Sequence, residues 1–122
     1  MLNDPIAVDE DAMRAQAERI LALGPRAVLI TGGDGAGAES VDILVDPEGS
    51  ERYASRRIDT CNTHGTGCTL SAAIAAALAK GQSLRDGVAG AKAYIRAAIA
   101  ASDELAVGHG HGPVHHFHAF WR

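Results

Sequence analysis

The sequence predicts an α/β domain with an incomplete sheet. Three observations carry that reading: a short apolar run at 27–30 that suits a strand, two strand-like segments around a turn within 41–58 that suit a hairpin, and helical periodicity on either side of them. The order helix, strand, hairpin, helix, helix stacks helices on a small sheet, one part of a layered sandwich.

Each element has its own warrant. From Asp9 to Leu23, Met13, Ala17, Ile20 and Leu21 fall on one helical face, and Asp9, Glu10 and Asp11 load the first turn with negative charge. Gly24-Pro25 stops that helix. Ala27-Val28-Leu29-Ile30 is continuously apolar, as expected of a strand covered on both faces. It runs into the glycine-rich loop Thr31-Gly32-Gly33-Asp34-Gly35-Ala36-Gly37. Val41 to Val45 and Glu51 to Ile58 read as paired strands around the turn Asp46-Pro47-Glu48-Gly49. Thr66 to Lys80 is an alanine-rich helix closed by Gly81, with side chains small enough to lie close to a sheet or to another helix. Leu84, Val88, Ala91, Ile95, Ala98 and Ile99 mark a last helix over 84–102, with Ser83 as N-cap and Asp86 at its third position. The Gly- and His-rich stretch from Gly108 to Arg122 reads as loop or extended chain.

Composition narrows the function classes. At 122 residues the chain is one domain, and 47% hydrophobic with 21% charged residues makes it globular. A net charge of −4 argues against a nucleic-acid partner held by general electrostatics. No apolar run approaches the roughly 20 residues that span a membrane, and Met1-Leu2-Asn3-Asp4-Pro5 has neither a basic flank nor an apolar segment, so a cytoplasmic location is expected. In that setting Cys61 and Cys68 are expected to be free thiols.

The most informative stretch is Asn62-Thr63-His64-Gly65-Thr66-Gly67-Cys68-Thr69-Leu70-Ser71-Ala72-Ala73. Its glycines set a turn on a helix N-terminus, where unpaired backbone N–H groups converge and the helix dipole favours an anion. A thiol follows at the helix start.

Together with Arg57 to Cys61 before it, this stretch resembles the signature of the hydroxymethylpyrimidine/phosphomethylpyrimidine kinases, thiamin-pathway members of the ribokinase-like superfamily. Ala91-Lys92-Ala93-Tyr94-Ile95 and the ending Val107 to Phe117 support the match. The resemblance implies the C-terminal part of a ribokinase-like α/β/α sandwich, here as a single partial domain over 1–122. It implies ATP and Mg²⁺ as cofactors and a small pyrimidine as substrate. The N-terminal strands, most of the pyrimidine pocket and an acidic motif that helps hold magnesium belong to the other half. With that half absent, the sheet edge and the apolar face around Val28, Leu29 and Ile30 invite pairing, so a homo-oligomer is expected.

By the same resemblance Gly65, Thr66, Gly67 and Cys68 form an anion hole for the moving phosphoryl group. Cys68 stands where most of the superfamily has a catalytic aspartate, and a helix N-terminus favours the reactive thiolate. The plainer reading of Cys68 is a small buried hydrophobe. Thr31, Gly33 and Gly35 are implied to line the nucleotide phosphates, against the plainer reading of an ordinary glycine-rich strand exit. Many family members have lysine at the Thr31 position, and the segment here looks more like the threonine-containing phosphate loop of sugar kinases. Cys61 reads as structural. His64 could meet a phosphate or the turn's backbone. His109, His111, His115, His116 and His118 have no helix-pair spacing, and no metal site is assigned to them. Two functions stay open: a truncated kinase, and a non-catalytic remnant that binds phosphate or nucleotide or assembles with another chain.

Overall fold

A computed structural model of the chain describes residues 9–32, 38–58, 65–105 and 112–119. It divides into two compact units, Met1–Arg57 and Ile58–Arg122.

In the first unit, α1 spans Glu10–Leu21. Asp9 caps it: its Oδ1 accepts the Ala12 N–H at 2.7 Å, satisfying one of the donors every helix start leaves open. The helix ends where Gly24, at φ +120°, turns the chain out of the helical path. The sheet has three strands, β1 (Val28–Ile30), β2 (Glu39–Asp46) and β3 (Gly49–Arg56), in that order and antiparallel throughout. The hairpin turn is held by Asp46, whose Oδ1 accepts the Glu48 N–H at 2.9 Å, and by Gly49 at φ +139°.

Strand alternation decides what lies where. Val41, Ile43 and Val45 share the face that meets α1, where Met13 and Ala17 pack on them and Leu21, Val28 and Ile30 flank the cluster. Ile43 is fully buried, and its burial stabilises by about 1.5–3 kcal/mol. Asp42 and Leu44 alternate onto the opposite face. β1 departs from the expectation of a strand covered on both faces. Its residues are half-buried, and it lies at the sheet edge, antiparallel to β2. The physical reason is its place at the sheet edge, which leaves all three residues half-buried alike, Leu29 on one face as much as Val28 and Ile30 on the other. Arg52 on β3 donates to Glu10 at 2.5 Å, and Arg14 donates to Ser50 Oγ at 3.2 Å, fastening the helix to the hairpin.

In the second unit, α2 (Thr66–Ala79) packs on α3 (Leu84–Ala100). α2 closes with Gly81 at φ +85°: the Gln82 N–H bonds Ala77 O at 3.1 Å and the Gly81 N–H bonds Leu78 O at 3.0 Å. That paired pattern satisfies the last carbonyls of a helix. Ser83 caps α3 as predicted, accepting the Asp86 N–H at 3.2 Å. The two helices come close at Gly87, where a Cβ would stand 3.2 Å from Ala77 Cβ. Leu70, Val88, Ala91, Ile95, Ala98 and Val114 are buried. Most of α2 is not, for Ala72, Ala75, Ala76, Leu78 and Ala79 are exposed. The described part of the C-terminal stretch is loop and turn, as expected. It docks on α3, with the His115 N–H donated to Ala98 O at 3.0 Å and Tyr94 OH donated to His116 O at 2.5 Å.

Candidate anion site at the start of helix α2

Gly65 is the N-cap of α2 at φ 83°, ψ 8°, left-handed geometry that an L side chain resists. A Cβ there would meet nothing within 4 Å, so the need for glycine is conformational rather than steric. The carbonyl of Gly65 accepts both the Thr69 N–H at 3.0 Å and Thr69 Oγ1 at 2.7 Å. Ser71 Oγ bonds back to Gly67 O at 3.0 Å. These hydroxyls consolidate the first turns without occupying the donors at the helix mouth.

Those donors are what an anion would use. The N-cap residue of α2, Gly65, has no side chain to cap it, and the first turn holds no acidic residue. The N–H groups of Gly67 and Cys68 have no acceptor among the described residues. Open donors and the positive end of the dipole suit phosphate oxygens.

Gly67 adds an independent argument. It lies inside α2, its φ is not positive, and its Cβ would meet nothing within 4 Å. Neither geometry nor packing calls for glycine there, and glycine is a weaker helix former than alanine. What glycine does supply is a backbone with nothing standing over its N–H. The expectation that both glycines serve the tight turn holds for Gly65 alone.

Cys68 is a free, exposed thiol in the first turn, so the reading of a small buried hydrophobe does not describe it. Gly65, Thr66, Gly67 and Cys68 thus come together in one turn, as their spacing predicted. Thr31 belongs to the other unit, exposed directly after β1. Gly33, Gly35, Cys61, His64, His109 and His111 lie outside the described residues. Among those described, no cluster of three or more His, Cys, Asp or Glu side chains gathers as for a metal, and no helix is long and apolar enough to cross a membrane.

Three residues near Thr31 escaped the sequence reading. Gly32 fits only as glycine, since a Cβ would fall 2.1 Å from Val41 O. Asp42 Oδ1 accepts the Gly32 N–H at 3.0 Å, and Arg57 Nη2 donates to Gly32 O at 3.3 Å. One signal was available: a lone carboxylate inside the apolar run Val41 to Val45 is out of place in a strand unless it has a partner.

The α/β scaffold thus places a glycine N-cap and an exposed thiol together in the first turn of α2. A family model described as phosphomethylpyrimidine kinase matches residues 1–115, and the chain belongs to that family. The hydroxymethylpyrimidine/phosphomethylpyrimidine kinase of Rhizobium meliloti (strain 1021) is 52% identical over 122 residues, all of this chain and 46% of that protein. Among solved structures, the Bacillus subtilis pyridoxal kinase in its ADP complex superposes with a TM-score of 0.86 at 40% identity, over 93% of this chain and 42% of that one. The Staphylococcus aureus pyridoxal kinase in complex with AMP-PCP and pyridoxal gives a TM-score of 0.87 at 29% identity, over 93% of this chain and 42% of that one. The ribokinase-like α/β class expected from the resemblance is therefore borne out, with three strands of its sheet present. The chain spans about half the length of the curated relatives it matches, 46% in the case above.

Proposed function

We propose that this chain supplies the phosphoryl-handling part of a kinase that uses ATP to phosphorylate hydroxymethylpyrimidine and its monophosphate in thiamin biosynthesis, and that it acts in the cytoplasm. The supporting observation is the start of α2, with Gly65 in left-handed geometry, N–H groups of Gly67 and Cys68 that meet no acceptor among the described residues, and an exposed thiol in the same turn. The N–H groups of Thr66, Gly67 and Cys68 would hold the oxygens of the transferring phosphoryl group. Donors fixed in advance on a helix end need no reorganisation as charge develops. Cys68, as thiolate, would take the proton of the substrate hydroxyl. The alcohol oxygen then bonds to the γ-phosphorus, that phosphorus parts from the bridging oxygen, and ADP leaves with the electron pair.

Thr31, Gly33 and Gly35 would line the nucleotide phosphates. The open, acid-free helix start suits the polyphosphate of ATP. Mg²⁺ fits a different way. The ion would be held by the phosphates together with the acidic motif that the resemblance assigns to the other half. Its chemistry would be to neutralise phosphate charge. Assembly is the remaining element, with β1 at the sheet edge and the exposed side of α2 available to a second copy. Sedimentation as a monomer at tens of micromolar, on the order of the concentrations where edge pairing acts, would remove the homo-oligomer from this proposal.

The coverage of 46% favours a second reading, a remnant that binds phosphate or nucleotide without turnover or that assembles with another chain. One experiment separates the two. ATP-dependent phosphorylation of hydroxymethylpyrimidine and of its monophosphate is measured for the chain alone and mixed with a chain supplying the rest of its relatives' length. Turnover in either mixture supports the kinase. Nucleotide or phosphate binding with no turnover in both supports the remnant.

A further inference from the structure

A buried carboxylate in the middle of a strand needs a reason, because a charge taken from water is costly unless hydrogen bonds replace the water. Asp42 is 5% exposed, in β2, on the face turned away from α1. Its Oδ1 accepts the N–H of Gly32, the residue after Thr31. The opposite end of the same residue is held as well, since Arg57 Nη2 donates to Gly32 O at 3.3 Å. The same nitrogen donates to Glu39 O at 3.1 Å, and the Arg57 N–H bonds Ala38 O at 2.8 Å. One arginine thereby staples the chain leaving β1 to the chain entering β2. Gly32 is seated so close to β2 that a Cβ would overlap Val41 O at 2.1 Å. Three independent contacts thus fix one residue through both of its flanking peptides, directly beside the exposed Thr31.

We infer that Asp42 and Arg57 are positioning residues for nucleotide binding: they lock Gly32 so that Thr31 meets the nucleotide phosphates from a fixed place. This rests on the proposed contact between Thr31 and ATP. Neither residue touches ligand. The Gly32 N–H is already used by Asp42, so the phosphate contact falls to Thr31 and not to the Gly32 amide. A segment fixed before the ligand arrives loses little freedom on binding, which is how a remote hydrogen bond becomes affinity.

The test uses the 122-residue chain and two probes, ATP with MgCl₂ by equilibrium dialysis and inorganic phosphate by titration calorimetry. Hydrogen bonds to charged groups are the strong ones, so Asp42→Ala and Arg57→Ala should each weaken ATP about 10-fold or more. Asp42→Asn, which keeps an oxygen acceptor for Gly32, should recover affinity to within about threefold of the unaltered chain. Phosphate binding, read at the start of α2, should not move. ATP and phosphate weakening together would overturn the inference by showing a general structural role. If Thr31→Val weakens ATP but Asp42→Ala and Arg57→Ala do not, the positioning role is overturned while the Thr31 contact stands. If the chain binds no ATP, or Thr31→Val binds it unchanged, the Thr31 contact fails and the positioning role fails with it. Should the alanine variants not fold, Arg57→Lys decides. Its single nitrogen replaces the planar fork, so weakened ATP with unchanged phosphate supports the inference and unchanged ATP overturns it.

Discussion

Replacing Gly67 with alanine should make the protein more stable and a poorer anion binder. The residue is inside α2 with no positive φ, and a Cβ there enters open space with nothing within 4 Å. Alanine therefore introduces no clash, and by helix propensity it should add stability, at most about 1 kcal/mol, the helix-interior value. For a domain of this size that is a rise in Tm of at most about 6 °C. The same methyl stands beside the open N–H groups of Gly67 and Cys68. Loss of one charge-assisted hydrogen bond should cost phosphate about 10-fold in affinity. Gly65→Ala is the contrasting variant. At φ 83° an L residue costs roughly 1–2 kcal/mol, so it should melt earlier than the unaltered chain. Circular dichroism melts give the stabilities, and calorimetric titration with inorganic phosphate gives the affinities. A Gly67→Ala chain that melts earlier would refute the helical assignment of that position. One that melts later and binds phosphate as before would refute the claim that glycine stands there for a ligand.

If turnover is seen, alone or in a complemented mixture, Cys68→Ala should lower kcat by about 10²–10⁴, the usual effect of removing a general base. Cys68→Asp should retain more activity than Cys68→Ala, and equal rates for Cys68→Ala and the unaltered chain in the phosphorylation assay would remove the thiol from the mechanism. Ile43→Ala, at a fully buried position against α1, should cost about 2–5 kcal/mol in denaturant unfolding. Asp9→Ala removes the 2.7 Å cap of α1 and should cost about 0.5–2 kcal/mol in the same assay.

Local rules carried most of the fold. Caps and stops are written in neighbouring residues, so Ser83 with Asp86, Gly81, Gly24 and the turn at 46–49 fall where their residue types place them. The turn Gly65–Cys68 was legible for the same reason, since its parts are consecutive. What could not be read was long-range. Whether β1 is covered on one face or two depends on which elements pack on it, not on its own apolar run. Asp42 and Arg57 act on Gly32 from 10 and 25 positions away, and pairing of β1 with β2 and of β2 with β3 brings them there. The helical, unstrained state of Gly67 was equally hidden, because its spelling beside Gly65 suggests one shared turn.

The bond from the His115 N–H to Ala98 O has a dynamic consequence. Ala98 lies in the last turn of α3, where a carbonyl has room for a partner from beyond the helix. A residue far along the chain supplies that partner, and Tyr94 grips the same stretch through His116 O. Helix ends ordinarily fray one residue at a time, independently of distant chain. Here the end of α3 can open only when residues 112–118 lift away, so the two should behave as one unit of local unfolding. Under native-state hydrogen exchange the amides of Ala101 and His115 should share a single opening free energy, and a protease that cuts in the C-terminal stretch should loosen α3 at the same rate at which it cuts.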